Sequence, residues 1–216
     1  MPARILRFHF DFISPYSYLA WCRVGAFARD HDLRVEPRPT LFAALLNHLD
    51  HKGPGEIPEK RAYMFKDCQR MAAQLGVPFV PVFSHPFNPL PSLRATLLDM
   101  DDDTRQRLVT SLFNATWAES RDVGSAEVVA AICADAGVPD ALARIQEPEV
   151  KKGLLDASHE AIQLGVFGVP TMIVDGELFW GNDSFPHLAR YLAGKDTVRP
   201  AELERWSAVR PSARRK

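Results

Sequence analysis

The chain has 216 residues, enough for one domain with a large insertion and a real hydrophobic core. Hydrophobic residues make up 46% and charged residues 25%, the balance of an ordinary globular protein. A formal net charge of −1 gives no electrostatic support for binding nucleic acid or an anionic membrane, and no segment approaches the roughly 18 uninterrupted apolar residues of a membrane span.

The N-terminal stretch does not read as a signal peptide, because Arg4 and Arg7 interrupt its short apolar run. Cys22, Cys68 and Cys133 form no close pair and read as small core residues of a reduced, cytoplasmic protein. The first strand places Leu6, Phe8, Phe10 and Phe12 on one face at period two. It runs into Ser14-Pro15-Tyr16-Ser17, where Pro15 suits the first helical turn because its missing N–H has no partner to lose there. The following helix extends to about His31. Leu33 to Leu41 then reads as a second strand, with Pro37 and Pro39 pointing to a sheet edge.

A mostly helical middle follows. Pro58 to Leu75 is a helix stopped by Gly76, and Val77 to Val82 is extended because of its prolines. A helix beginning near Arg94 breaks at Asp101-Asp102-Asp103, where acidic residues favour the next helix's positive end. Leu108, Val109, Leu112, Phe113, Thr116 and Trp117 make a buried stripe on that next helix. Ser125 caps another, which stops at Gly137, and Pro148 opens one that ends at Gly165. Thr171 to Val174 and Leu178 to Trp180 are strands joined by Asp175-Gly176, a strong hairpin signal. A final helix runs from about Asp183-Ser184 to Gly194.

The order strand-helix-strand, helical block, helix-strand-strand-helix is that of an α/β thioredoxin-like domain interrupted by a large helical insertion. On this reading the thioredoxin-like domain spans residues 1–43 and 146–197, the insertion spans 44–145, and a tail spans 198–216. The basic end of the tail, from Arg210 to Lys216, reads as solvated chain.

Three places are candidates for chemistry. Ser14 lies at a helix N-terminus, where free backbone N–H groups favour negative charge. It serves equally well as a plain N-cap. Gly168-Val169-Pro170-Thr171 precedes a strand. In thioredoxin-like folds a proline at this corner is cis and exposes the preceding residue's backbone to a thiol ligand; a trans proline opening the strand is the commoner alternative. Asp183, in Trp180-Gly181-Asn182-Asp183-Ser184, either caps the last helix or offers a carboxylate to a ligand ammonium.

The stretches FHFDFISPYSYLAW, KGPGEIPEKRAYM, HPFNPLPSLR and GVFGVPTMIVDGELFWGNDSF together resemble the 2-hydroxychromene-2-carboxylate isomerases and kappa-class glutathione transferases, in the DsbA-like branch of thioredoxin folds. The resemblance implies a glutathione-dependent enzyme, usually a homodimer. It implies that Ser14 holds the glutathione sulfur and Lys60 pairs with the glycine carboxylate. Val169, before a cis Pro170, would bind the cysteinyl backbone, and Asn182 and Asp183 would receive the γ-glutamyl group. Tyr16, Phe87 and Asn88 would lie on the substrate side, although from their own sequence Lys60 reads equally as a solvated helix residue and Asn88 as a loop turn-former. His51 stands where some members carry a glutathione-contacting asparagine, and Ser184 replaces a common arginine.

The chemistry so implied is reversible addition of a thiolate to an unsaturated aromatic acid, giving an isomerase of aromatic-compound catabolism. A kappa-like transferase, releasing a conjugate, shares every motif. A non-catalytic thiol- or peptide-binding protein is a third reading. The Ser-Pro-Tyr-Ser quartet puts serines where a dithiol oxidoreductase carries cysteines, so the sulfur must come from the ligand. A serine hydrolase is a poor alternative because Ser14 lacks the flanking glycines of Gly-x-Ser-x-Gly. His48 and His51 have helical ligand spacing, but no cysteine or carboxylate cluster accompanies them to hold a metal.

Overall fold

The computed structural model describes residues 4–213. Residues 1–3 and Arg214-Arg215-Lys216, which include part of the supposed solvated tail, lie outside the described residues. The chain divides between Ser184 and Phe185 into two units.

The first unit is organised by a four-stranded mixed sheet in the order β2-β1-β3-β4. β1 is Arg4–Phe10, β2 Leu33–Pro39, β3 Thr171–Val174 and β4 Glu177–Trp180. β1 and β2 run parallel, joined by α1, Pro15–Asp30. β3 pairs antiparallel with β1 and with β4. Asp175 and Gly176 turn the β3–β4 hairpin, both with positive φ (52° and 85°), as the Asp-Gly signal requires.

Between β2 and β3 lie a short 3₁₀ helix, Pro54–Glu56, and seven α-helices: α2 Phe42–Leu49, α3 Pro58–Leu75, α4 Leu90–Ala95, α5 Asp102–Trp117, α6 Ala126–Asp135, α7 Ala141–Arg144 and α8 Pro148–Gln163. Asp101 and Ser125 cap α5 and α6 through their side chains, and Gly76 ends α3 with φ 65°. Neither α2 nor α7 has a separate sequence signature, because each is short. The expected helix near Arg94 starts four residues earlier, at Leu90.

The core follows from β1 being central, covered on both faces. Its even-numbered residues build an aromatic cluster with α1 and α5. Phe8, Phe10 and Phe12 are fully buried, and Phe10, Phe12 and Trp21 each meet Phe113 with ring centroids 4.7–6.2 Å apart. The α5 stripe is buried as its spacing predicts. Tyr18 and Trp21 therefore serve packing, with the Tyr18 hydroxyl donating to the Pro78 carbonyl at 2.7 Å. A smaller cluster of Leu45, Ala161, Val166, Val169 and Ile173 joins α2 and α8 to β3. Cys68 and Cys133 are buried, but Cys22 is exposed, a correction to its reading as core. It lies on the face of α1 opposite the buried Ser17, Ala20, Val24 and Ala28.

β2 is an edge strand, as its prolines suggest. Thr40 N–H, just past the strand, donates inward to the Phe10 carbonyl, whereas the Val35 carbonyl turns outward to the Gln106 side chain. Pro37 and Pro39 share the outward parity of Val35, so their missing N–H groups leave no ladder bond unmade.

The second unit holds α9, Phe185–Leu192, and α10, Pro200–Ser207. α9 buries Phe185 and Leu188. α10 occupies part of the stretch read as tail, and its Leu203 and Trp206 are exposed. No helix among the described residues is long and apolar enough to cross a membrane.

Candidate active site

The corner where β1 enters α1 is fixed by local hydrogen bonds. The Ser14 N–H donates to the Asp11 carbonyl at 3.1 Å. Its Oγ accepts the Ser17 N–H at 3.2 Å, so Ser14 is the N-cap of α1. The same hydroxyl donates its proton to the Val169 carbonyl at 3.3 Å. The Val169–Pro170 peptide is cis. Two motifs 155 residues apart thus meet through one hydroxyl, which caps a helix and faces the pre-proline backbone at once.

Asp11 lies wholly buried beneath this corner. Its Oδ1 accepts the Ile13 N–H at 3.1 Å and its Oδ2 the Phe42 N–H at 2.9 Å. Leu41 offers α2 no side-chain cap, so Asp11 supplies one from the neighbouring strand. Burial pushes its carboxyl up to about 7, although the backbone N–H groups of Phe42, Ile13 and Phe12 favour the charged form. Two residues earlier, His9 is also buried, with Nδ1 3.1 Å from Thr40 Oγ1. Thr40 donates its own proton to the Arg38 carbonyl, so the imidazole is the donor in that pair. Burial, reinforced by Arg38 and Arg7, lowers His9 to about 4. Asp11 directly follows β1 and had no sequence signal of its own beyond its place three residues before Ser14.

A cavity of about 630 Å³ opens over Ser14. Ser14, Tyr16, His51, Phe87 and Val169 all line it, as do Phe42 and Leu46 of α2. Lys60, exposed on the first turn of α3, lines an adjoining cavity of about 370 Å³. Tyr16, Pro54 and Met64 border both.

The remaining expected residues sit apart from these walls. Pro170 is buried behind Val169. Asn88 is exposed, and its Oδ1 accepts the Leu90 N–H at 3.1 Å, the behaviour of a turn former at the entry to α4. Asn182 is buried and its side-chain amide donates to Met71 Sδ at 3.1 Å, while its Oδ1 has no partner among the described residues. The exposed Asp183 folds its carboxylate back over Gly181, whose φ is 92° and where a Cβ would fall 2.5 Å from Asp183 Oδ1. Among the described residues no group of three or more His, Cys, Asp or Glu side chains is placed to hold a metal ion.

Three further wall residues carried no sequence signal of their own. His85 donates from Nε2 to the Ile13 carbonyl at 3.1 Å and presses against Gly55, where a Cβ would come within 2.8 Å of its ring. Burial lowers its pKa, against the bond to the Ile13 carbonyl, which favours the charged form. Phe167 and Trp180 stand at the rim beside Gly168 and Val169. Taken together, the site offers a helix N-terminus, a hydroxyl directed at the Val169 carbonyl and an apolar chamber, with no protein thiol in its walls. That combination can hold an anionic sulfur brought by a ligand.

The DSBA-like thioredoxin domain family matches residues 5–193. A 2-hydroxychromene-2-carboxylate isomerase of Sphingobium xenophagum is 32% identical over 193 residues, spanning 88% of this chain and 98% of that one. Glutathione S-transferase kappa 2 of Caenorhabditis elegans is 29% identical over 212 residues, spanning 89% and 94%. A solved structure of a 2-hydroxychromene-2-carboxylate isomerase superposes with a TM-score of 0.79 at 26% identity, covering 94% of this chain and 98% of that one.

Proposed function

The chain belongs to the DSBA-like thioredoxin domain family, beside 2-hydroxychromene-2-carboxylate isomerases and kappa-class glutathione transferases, and from that premise we propose that it is a glutathione-dependent isomerase of the chromene-carboxylate type. The observation that carries this reading is the Ser14 hydroxyl, at a helix N-terminus and 3.3 Å from the carbonyl preceding cis Pro170.

The residues fit a thiol-bearing peptide. The Val169 backbone is available beside Ser14, and Lys60 offers a cation next door for a carboxylate. Asn182 Oδ1, buried without a partner among the described residues, is an acceptor suited to an ammonium. Glutathione, when bound, supplies a thiolate able to add to an electron-poor carbon of an unsaturated aromatic acid and to leave after rotation about the former double bond. Ser14 acts in this reading as an electrostatic partner rather than a covalent nucleophile. Its proton, now directed at Val169, and the first-turn N–H groups of α1 favour negative charge at the corner. The Ser17 N–H keeps Oγ in place, and Phe42, Leu46 and Phe87 exclude water. A cytoplasmic homodimer belongs to the same proposal.

Calorimetric titration with reduced glutathione near neutral pH, in two buffers of different ionisation enthalpy, tests it. Binding with proton release is expected, and Ser14→Ala should weaken the release. No binding at millimolar glutathione sinks the reading. A transferase is the second reading, favoured by the comparable identity to the kappa-class relative. Product analysis, rearranged free acid against glutathione conjugate, separates the two.

A further inference from the structure

We propose that Phe167 and Trp180 form an aromatic platform that seats the flat ring of the compound joined to glutathione sulfur. This rests on the glutathione reading above and adds which residues select the partner. Both rings are exposed, Phe167 by 43% and Trp180 by 54%, although each is among the larger apolar side chains. They pack on each other with centroids 5.0 Å apart and planes at 57°. Leaving two touching aromatic rings in water forgoes the burial that the Phe8 and Phe10 rings of β1 obtain.

The pair is held rather than loose. A Cβ at Gly168 would lie 2.6 Å from Trp180 Nε1, so the indole rests directly on that glycine. Trp180 ends β4 opposite Thr171, and the next residue, Gly181, donates its N–H to the Pro170 carbonyl at 2.9 Å. The platform is therefore fixed to the cis-proline corner itself. Gly168 adjoins Val169, whose carbonyl receives the Ser14 hydroxyl, so the rings begin one residue from the atoms assigned to sulfur. Both line the Ser14 cavity.

The chemistry of the walls agrees. Among the described residues no lysine or arginine lines the cavity, and the acidic residues along it are Asp11, whose carboxyl oxygens are already held by the Ile13 and Phe42 N–H groups, and Glu56. Such a chamber selects an uncharged ring by stacking and apolar contact, and leaves any carboxylate of the same compound toward the mouth.

The test compares S-benzylglutathione, S-methylglutathione and reduced glutathione by calorimetry, with native protein, Trp180→Ala and Trp180→Phe. Native protein is expected to bind the benzyl compound about tenfold more tightly than the methyl compound, the scale of aromatic pairing with its area burial. Trp180→Ala should abolish that preference and leave methyl affinity within about twofold, and Trp180→Phe should restore most of it. Because Trp180 is half exposed, its truncation leaves the core intact, and Phe167→Ala provides an independent variant with the same expected direction. An unchanged preference in both alanine variants overturns the platform, as does an equal loss for both compounds. If the variants instead lower the molecular mass in solution from two copies to one, with the preference kept, the rings are an interface and the proposal falls. Failure of all three compounds to bind native protein removes the glutathione reading itself, an outcome distinct from the others.

Discussion

The two faces of β1 are built for different ends. Leu6, Phe8, Phe10 and Phe12 continue one face as an aromatic cluster with Trp21 and Phe113 that contains no polar atom beyond the indole N–H of Trp21. On the other face, His9 and Asp11 are as deeply buried yet hold polar bonds to Thr40, Phe42 and Ile13. The apolar face can hold the sheet to its helices with any well-packed set of large side chains. The polar face sets where α2 begins and where Ser14 sits, because each of its bonds has one partner and one length. Burial supplies stability on the apolar face; position comes from the polar one, whose hydrogen bonds offset the cost of burying His9 and Asp11.

The strongest test of this contrast is Phe10→Ala, which should cost about 3–5 kcal/mol in denaturant unfolding. In a folded sample at low temperature it should leave the Ser14 corner able to bind glutathione. A loss of binding well beyond the unfolded fraction would show that the apolar face also sets position.

The polar face predicts opposed pH dependences. Asp11, raised to about 7, holds its proton more tightly folded than unfolded, so its contribution is full below its ordinary 3.8 and is lost as pH rises through about 7. His9, lowered from 6.5 to about 4, contributes fully above 6.5 and loses that contribution as pH falls through about 4. The two slopes, each up to about 1.4 kcal/mol per pH unit, oppose one another in the shared window. Urea midpoints of Asp11→Asn should therefore rise with pH across that window, and those of His9→Asn should fall. Parallel slopes in the two variants would contradict the assignment.

Ser14→Ala is smaller in stability, about 1 kcal/mol for a lost cap, but should remove most glutathione-linked proton release. Full release in the variant would leave Ser14 a cap alone. The least effect is expected at Asn88→Ala, within about 0.5 kcal/mol and without change in glutathione affinity, since Asn88 faces solvent at a turn. A clear loss of affinity there would restore it to the site.

Much of this was legible because local rules and tertiary needs agree. Ser14-Pro15 caps and opens α1, Asp175-Gly176 turns the hairpin, and Gly76 stops α3. The cis peptide before Pro170 lies where the order of elements placed it. What escaped was residues whose role depends on what folding brings near them. Trp180 and Phe167 are 13 positions apart and share no period, so only the hairpin reveals them as a pair. Asp11 directly follows β1, and its partner Phe42 is known only once α2 is placed.

The prolines of β2 bear on behaviour in crowded solution. Val35 has its outward carbonyl covered by Gln106, and at the next two outward positions Pro37 and Pro39 have no hydrogen to offer. A strand from another molecule approaching that edge finds a ladder with missing rungs. The prolines of β2 and the Gln106 side chain together make that side of the sheet a poor template for a further strand.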